Sequence, residues 1–285
     1  MASLSRRPRL SVRPAAIALA WPLLLTSHFS LLTAQTPRDL ARERADFASW
    51  LETAPLSPYA VIALQPVGRG ISIGAEPSDI PLPIAARGIA REEGGVVVLD
   101  QGNGRVLLPR GRAVPLDRFR LVTSGGPGRA VVAIFGAVRQ YRTPAYYPFA
   151  QDLNLTVTLE PPERHGTFRT LGLDGAETDA VEVGFASATL GRSRIRLRVY
   201  RVGAADDEEA PLLVFFRDST NGHGSYPAGR FVELTPHGAA KYRLDFNRAR
   251  NPFCAYSTIF PCPAPWPGNV IPAMIPAGER YRADS

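Results

Sequence analysis

A predicted hairpin in the second half of the chain carries most of the side chains that could bind or transform a ligand. Asn221-Gly222 favours a tight turn with a positive φ, which places the hairpin loop there. A buried Arg230 in the strand that follows would need a carboxylate partner, which Asp218 or Asp245 could provide. The predicted ligand-binding residues of this region are Asp218, Thr220, Tyr226, Arg230, Asp245, Asn247 and Asn251.

Three interpretations of this polar set are open. It is a satisfied network that holds the hairpin against a neighbouring strand, a binding site for a small molecule or protein partner, or a catalytic site. In the catalytic case, a hydrolase-type enzyme would use His223 as acid or base, with Asp218 or Asp245 orienting the imidazole. The motifs Ser-x-x-Lys and His-Glu-x-x-His do not occur in the sequence, so neither motif identifies a reaction.

The first residues have the composition of an export signal. Arg6 to Arg13 form a basic start, Ala15 to Leu32 form an apolar stretch, and Leu32-Thr33-Ala34 offers a small-residue cleavage site before Gln35. The sequence therefore predicts a signal peptide over residues 1–34 and a periplasmic or secreted protein after cleavage near Ala34. Contact with a membrane is expected only through this signal.

The formal net charge of +7 does not indicate a nucleic-acid partner. Four of the arginines lie in the export signal, and without them the net charge is about +3. A nucleic-acid-binding protein needs a concentrated basic face, usually within a recognisable module, and neither is found in the sequence.

Cys254 and Cys262 have seven residues between them in a proline-rich segment. In an exported protein such a pair predicts a disulfide. A zinc site would need two further ligands, and neither a CxxC motif nor a nearby histidine pair supplies them. No metal and no cofactor is predicted.

The elements that must position these residues are mostly strands. Thr36 and Pro37 favour the start of a helix, with Thr36 as N-cap, and Phe47 and Trp50 are expected to dock this helix on a β core. The predicted N-terminal helix occupies residues 35–56. Short apolar runs separated by Gly, Asn and Pro then predict a small β-sandwich over residues 57–143.

Within this sandwich, the stretch from Ile73 to Pro83 resembles the first conserved stretch of forkhead-associated domains. The resemblance implies a similar sandwich. Ala75 replaces the arginine that phosphothreonine binding requires in that family, so phosphopeptide recognition is not expected.

A larger antiparallel β domain is predicted over residues 144–285. Leu153, Leu155 and Val157 alternate with polar residues, as in a half-buried strand. The stretch Ala204–Ala210 is predicted to be an exposed loop, and a proline-rich, irregular segment ends the domain. The predicted fold class is therefore all-β, with an N-terminal helix, a small forkhead-associated-like sandwich and this larger domain.

The hairpin and the proline-rich segment together resemble the domain of unknown function 1684 family. The residues that carry the resemblance are Asp218, Thr220, Gly222, Tyr226, Gly229, Arg230, Asp245, Phe246, Asn247, Asn251, Pro252, Cys254, Cys262, Asn269, Gly278 and Glu279. His223-Gly224 stands where the family pattern has a basic and then an acidic residue. The family brings no established activity, so the resemblance implies an identity and not a function.

Overall fold

The structure is a computed structural model that describes residues 36–173, 175–202 and 210–282. The predicted export signal and all of the predicted loop Ala204–Ala210 except its last residue lie outside the described residues. Among the described residues, no helix has the length and apolar character needed to cross a membrane.

One α-helix, α1, spans Arg38–Thr53 and buries Leu40 and Leu51. Its start differs from the prediction, because Pro37 has an extended ψ of 144° and occupies the N-cap position without a side-chain cap. The ring of Trp50 lies 6.3 Å from that of Phe253, so the helix docks on the C-terminal segment of the chain.

Two sheets follow the helix and pack face to face. Their shared core contains Leu99 from one sheet and Leu121 and Ile134 from the other, all nearly inaccessible to solvent. One sheet has the order β1-β9-β8-β7 and the other β3-β2-β4-β5-β6. The strands are β1 Val61–Pro66, β2 Ile71–Gly74, β3 Ile80–Pro81, β4 Arg87–Glu93, β5 Val96–Asp100, β6 Arg105–Leu108, β7 Ala113–Leu116, β8 Phe119–Ser124 and β9 Val131–Phe135.

The remaining strands form an eight-stranded antiparallel sheet and a two-stranded ribbon. The large sheet has the order β11-β18-β17-β16-β15-β14-β12, with β13 also paired to β14, and β10 pairs with β19 in the ribbon. Their bounds are β10 Ala145–Tyr146, β11 Asn154–Val157, β12 Leu159–Glu160, β13 Thr167–Leu171, β14 Glu177–Leu190, β15 Ser193–Val202, β16 Leu212–Phe216, β17 Arg230–Pro236, β18 Tyr242–Asp245 and β19 Glu279–Arg280.

The proline-rich C-terminal segment covers both faces of the large sheet. Ile271 and Ile275 join the apolar core on one face. Trp266 packs on the other face, with its ring 4.1 Å from that of Tyr200 and its indole nitrogen donating to Thr170 at 3.0 Å. These contacts fix an irregular segment that has few backbone hydrogen bonds of its own. The all-β fold class with one N-terminal helix is confirmed.

Candidate ligand-binding site

Of the two carboxylates predicted as possible partners of a buried Arg230, Asp218 forms the ion pair, and both side chains are completely buried. Arg230 Nη2 donates to Asp218 Oδ2 at 2.8 Å and to the carbonyl oxygen of Ile275 at 2.9 Å. The other oxygen of Asp218 accepts hydrogen bonds from the amide and hydroxyl of Thr220 and from the amide of Ile275. The pair therefore holds the C-terminal segment against the hairpin, which is a structural role.

Asp245 and Asn247 also make structural contacts. Asp245 Oδ1 accepts from the Asn247 amide at 3.0 Å, which caps the short 3₁₀ turn Phe246–Arg248. The Asn247 side chain exchanges two hydrogen bonds with the backbone of Ala150, at 2.8 and 2.9 Å. Together they hold the end of β18 against the chain that leads into β11.

His223 does not meet either predicted aspartate partner. Its side chain is exposed at the tip of the hairpin. Within the described residues, the side chain of Asp218 bonds to Arg230, Thr220 and the Ile275 amide, and that of Asp245 bonds to Asn247 and Arg248. The arrangement that the hydrolase hypothesis requires is therefore not assembled.

The predicted disulfide is not formed, because Cys254 and Cys262 are both free. Cys254 lies in an apolar cluster with Phe260, whereas Cys262 is exposed. The Tyr226 hydroxyl lies 3.2 Å from the Cys262 sulfur. Burial raises the pKa of the Cys254 thiol to about 12, so this thiol is protonated at neutral pH and is a poor nucleophile.

Asn251 is the one predicted ligand-binding residue that lines a large pocket. The pocket has a volume of about 890 Å³, and its walls come from residues 59–62, 139–145, 251–259 and 279–282. Asn251 is 4% exposed, and its Oδ1 has no hydrogen-bond partner among the described residues. This buried acceptor is a group that a bound molecule could satisfy.

Glu279 lies beside Asn251 in the wall of this pocket and is 1% exposed. Its carboxyl accepts hydrogen bonds from the Tyr256 hydroxyl at 2.6 and 2.7 Å and from the backbone N–H of Asn251 at 2.9 Å. Burial raises its pKa to about 7, although these hydrogen bonds and the charge of Arg250 oppose the shift. The carboxyl therefore changes protonation near neutral pH.

The backbone around Gly278 sets the position of Glu279. Gly278 has φ +76°, and a Cβ on it would lie 2.7 Å from the carbonyl oxygens of Phe246 and Ala249. The amide of Glu279 then donates to the Ala249 carbonyl at 2.8 Å. Only glycine allows this approach, which brings β19 to the pocket.

Four arginines line the same pocket: Arg139, Arg142, Arg280 and Arg282. In the part of the chain that the structure describes, no carboxylate forms an ion pair with Arg139, Arg280 or Arg282. Arg280 Nε is buried and has no hydrogen-bond partner there, while its guanidinium lies 5.1 Å from the ring of Tyr147. The pocket wall is thus strongly positive.

Aromatic rings form another part of the wall. The ring of Tyr59 lies 5.7 Å from that of Tyr256, in an edge-to-face arrangement. Burial raises the pKa of both phenols, so both remain neutral near pH 7. Such a surface can pack against the apolar or planar part of a ligand while the arginines hold a negative group.

Sequence reasoning did not select Glu279, Tyr256 or the four arginines as site residues. Glu279 is nevertheless among the residues that carry the family resemblance, which was the available signal. The arginines gave no signal, because they are spread over two stretches more than a hundred residues apart and meet only in the folded chain.

Comparison with known proteins gives a family and similar solved structures. The family model described as "Protein of unknown function (DUF1684)" matches residues 139–280. A solution NMR structure of an uncharacterized protein from Haloarcula marismortui is 33% identical, over 49% of this chain and 77% of that chain, with a TM-score of 0.42. No match is found among curated proteins.

Proposed function

Since the chain belongs to the DUF1684 family, whose description names no activity, we propose from the pocket that this protein binds a small anionic molecule. One observation carries the proposal: Arg139, Arg280 and Arg282 line a pocket of about 890 Å³ without a carboxylate partner among the described residues, of which Glu279 is the only acidic one in the wall. The charge balance of this wall favours an anion over a neutral or cationic ligand.

The chemistry of the wall also suggests how the ligand is held. Guanidinium groups bind carboxylate, phosphate and sulfate groups through paired hydrogen bonds. The unpartnered Asn251 Oδ1 accepts a hydrogen bond from a hydroxyl or amine. A small organic acid or phosphorylated compound that also carries such a donor fits both features.

Anion binding is tested by titration calorimetry with sulfate, phosphate and succinate at low ionic strength, where charge interactions are least screened. Each is expected to bind the wild-type protein. Replacing both Arg139 and Arg280 with glutamine is expected to weaken binding by about tenfold or more, because charge-assisted hydrogen bonds are lost.

Arg112→Gln is the matched control, because Arg112 is exposed and does not line the pocket. It is expected to leave the affinity unchanged. The proposal is wrong if none of the three anions binds, or if Arg112→Gln weakens binding as much as the double substitution does.

We also propose that residues 1–34 direct export. Support comes from the sequence, in which Arg6 to Arg13 precede the apolar stretch from Ala15 to Leu32. Expression of the full chain in a bacterium, followed by mass spectrometry of the periplasm and medium, should give a protein that begins near Gln35. Recovery of the uncleaved chain from the cytoplasm alone would contradict export.

A further inference from the structure

Resting on the proposed anion-binding function, we propose that Glu279 takes up a proton when an anion binds, so that the pocket binds the anion and the proton together. The proton passes from solvent to a carboxylate oxygen of Glu279. The only bond that forms is this O–H bond. Protonation removes the negative charge of the Glu279 carboxylate from the wall, and the bound anion brings a negative charge in its place.

The surroundings of Glu279 leave its charge weakly compensated. Neither oxygen forms an ion pair in the described chain, and the hydrogen bonds come from the neutral Tyr256 hydroxyl and the Asn251 amide. The opposing charge that acts on it is that of Arg250, which is itself paired with Glu43 at 2.8 Å. An ionised Glu279 is thus stabilised only in part.

The other groups that face Glu279 keep a constant charge near neutral pH. Burial raises the pKa of Tyr59, Tyr146 and Tyr256, so these phenols stay neutral. Arginine side chains in proteins are in general always charged. Among the described residues of the wall, none other than Glu279 carries a carboxyl or imidazole group. Among the described groups of this wall, Glu279 is therefore the one whose charge changes between about pH 6 and pH 8.

Electrostatics couples the binding of the anion to the uptake of the proton by Glu279. An anion held by the arginines repels the Glu279 carboxylate, and this raises the pKa of the carboxyl above its value of about 7 in the empty pocket. By thermodynamic reciprocity, protonation of Glu279 strengthens anion binding by the same factor. A fully ionised anion is therefore expected to bind more tightly at lower pH.

The test is titration calorimetry with sodium sulfate, because sulfate keeps its charge over the relevant range. Repeating the titration near pH 7.5 in two buffers with different ionisation enthalpies gives the number of protons taken up. A fractional proton uptake is expected for the wild-type protein, together with an affinity about tenfold higher near pH 6 than near pH 8.

Glu279→Gln removes the titrating group and keeps the side-chain size. It is expected to abolish proton uptake and to bind sulfate near pH 8 as tightly as the wild-type protein does near pH 6. Tyr256→Phe removes a hydrogen bond that lowers the pKa of Glu279, so it should shift the pH profile of binding to higher pH. Glu233→Gln, at an exposed strand position, is the matched control and should behave as wild type.

The outcomes separate the two proposals. If sulfate, phosphate and succinate all fail to bind, both are overturned. If sulfate binds without proton uptake, or with the same pH dependence in Glu279→Gln, only the proton coupling is overturned. All four histidines of the chain are kept in every variant, so their titration cannot produce the expected difference.

Discussion

Two buried carboxyl groups of this protein have opposite environments. Asp218 has Arg230 at 2.8 Å and three further donors, so its charge is compensated. Glu279 has no such partner in the described chain, and burial raises its pKa to about 7. A buried carboxyl with an ion-pair partner is fit for a structural role, whereas one that titrates near neutral pH is fit to respond to a ligand.

The burial of Glu279 predicts a pH dependence of stability. Its pKa rises from an ordinary 4.5 to about 7 on folding, so the folded state holds the proton more tightly than the unfolded state. The resulting stabilisation is fully present below about pH 4.5 and is lost as the pH rises through about 7. Between these limits the free energy of unfolding should fall by on the order of 3 kcal/mol relative to Glu279→Gln.

Urea denaturation of both proteins at several pH values, in buffers free of sulfate and phosphate, measures this difference. Glu233→Gln serves as the control and should follow the wild-type curve. A wild-type curve parallel to that of Glu279→Gln across the range would show that Glu279 does not titrate in this window.

At the scale of elements, the pocket depends on a ribbon of two short strands, β10 and β19. Ala145 pairs with Arg280, and Tyr146 pairs with Glu279. Two residue pairs supply few hydrogen bonds, so the ribbon needs the close approach of Gly278 to residues 246–249 to hold its position.

Gly278→Ala is expected to destabilise the protein by more than the about 1–3 kcal/mol that a strained backbone conformation costs alone. The added Cβ would also meet two carbonyl oxygens at 2.7 Å. The same substitution should weaken sulfate binding, because Glu279 and Arg280 would be displaced. Thermal and urea unfolding together with sulfate titration measure both effects.

Gly268→Ala is a matched control for this substitution. Gly268 also has a positive φ of +86°, but its Cβ would have only Arg198 Nε nearby, at 4.0 Å. It should lower the stability by the cost of a strained backbone conformation and leave sulfate binding unchanged. Equal effects of the two substitutions would mean that the close approach of Gly278 does not position the ribbon.

The sequence predicted the strands better than the site. Alternation such as that of Leu153, Leu155 and Val157 is a local property, and these residues pack in the core of the large sheet, with Leu155 partly buried. The buried partnership of Arg230 and Asp218 was also predicted, because a buried arginine needs a carboxylate. Both inferences use residues close together in the chain.

The pocket could not be predicted because its walls combine distant stretches of the chain. Whether Glu279 is buried depends on Tyr59, Tyr146 and Tyr256 packing around it, and local sequence does not encode that packing. The expected disulfide is absent from the structure, in which Cys254 and Cys262 are both free, and the spacing of two cysteines in the sequence does not determine whether they are joined.

At the scale of the whole molecule, the N-terminal helix is joined to the 3₁₀ turn Phe246–Arg248 that follows β18. Asp39 and Glu43 of α1 form ion pairs with Arg248, and the Arg44 side chain donates to the carbonyl oxygen of Asn247 at 3.2 Å. The described residues accordingly belong to one compact unit, and the helix is part of it.

Leu51→Ala tests whether α1 unfolds together with the rest of this compact unit. Leu51 is fully buried, so the cavity left by the substitution should lower the free energy of unfolding by about 2–5 kcal/mol. Denaturation followed by tryptophan fluorescence and by circular dichroism should give one shared, shifted transition. Leu107→Ala, at a side chain that is 63% exposed, is the control and should have little effect.

The contact between α1 and the C-terminal segment has a consequence for synthesis. Arg44 and Asn247 are separated by 203 residues, which a ribosome adds over about 10–40 s at ordinary rates. A helix of this length is marginally stable alone in water, so α1 emerges early and lacks its docking partner throughout that time. The anion pocket, whose wall needs Glu279, is completed later still. The proposed anion can therefore bind only after translation has passed residue 279.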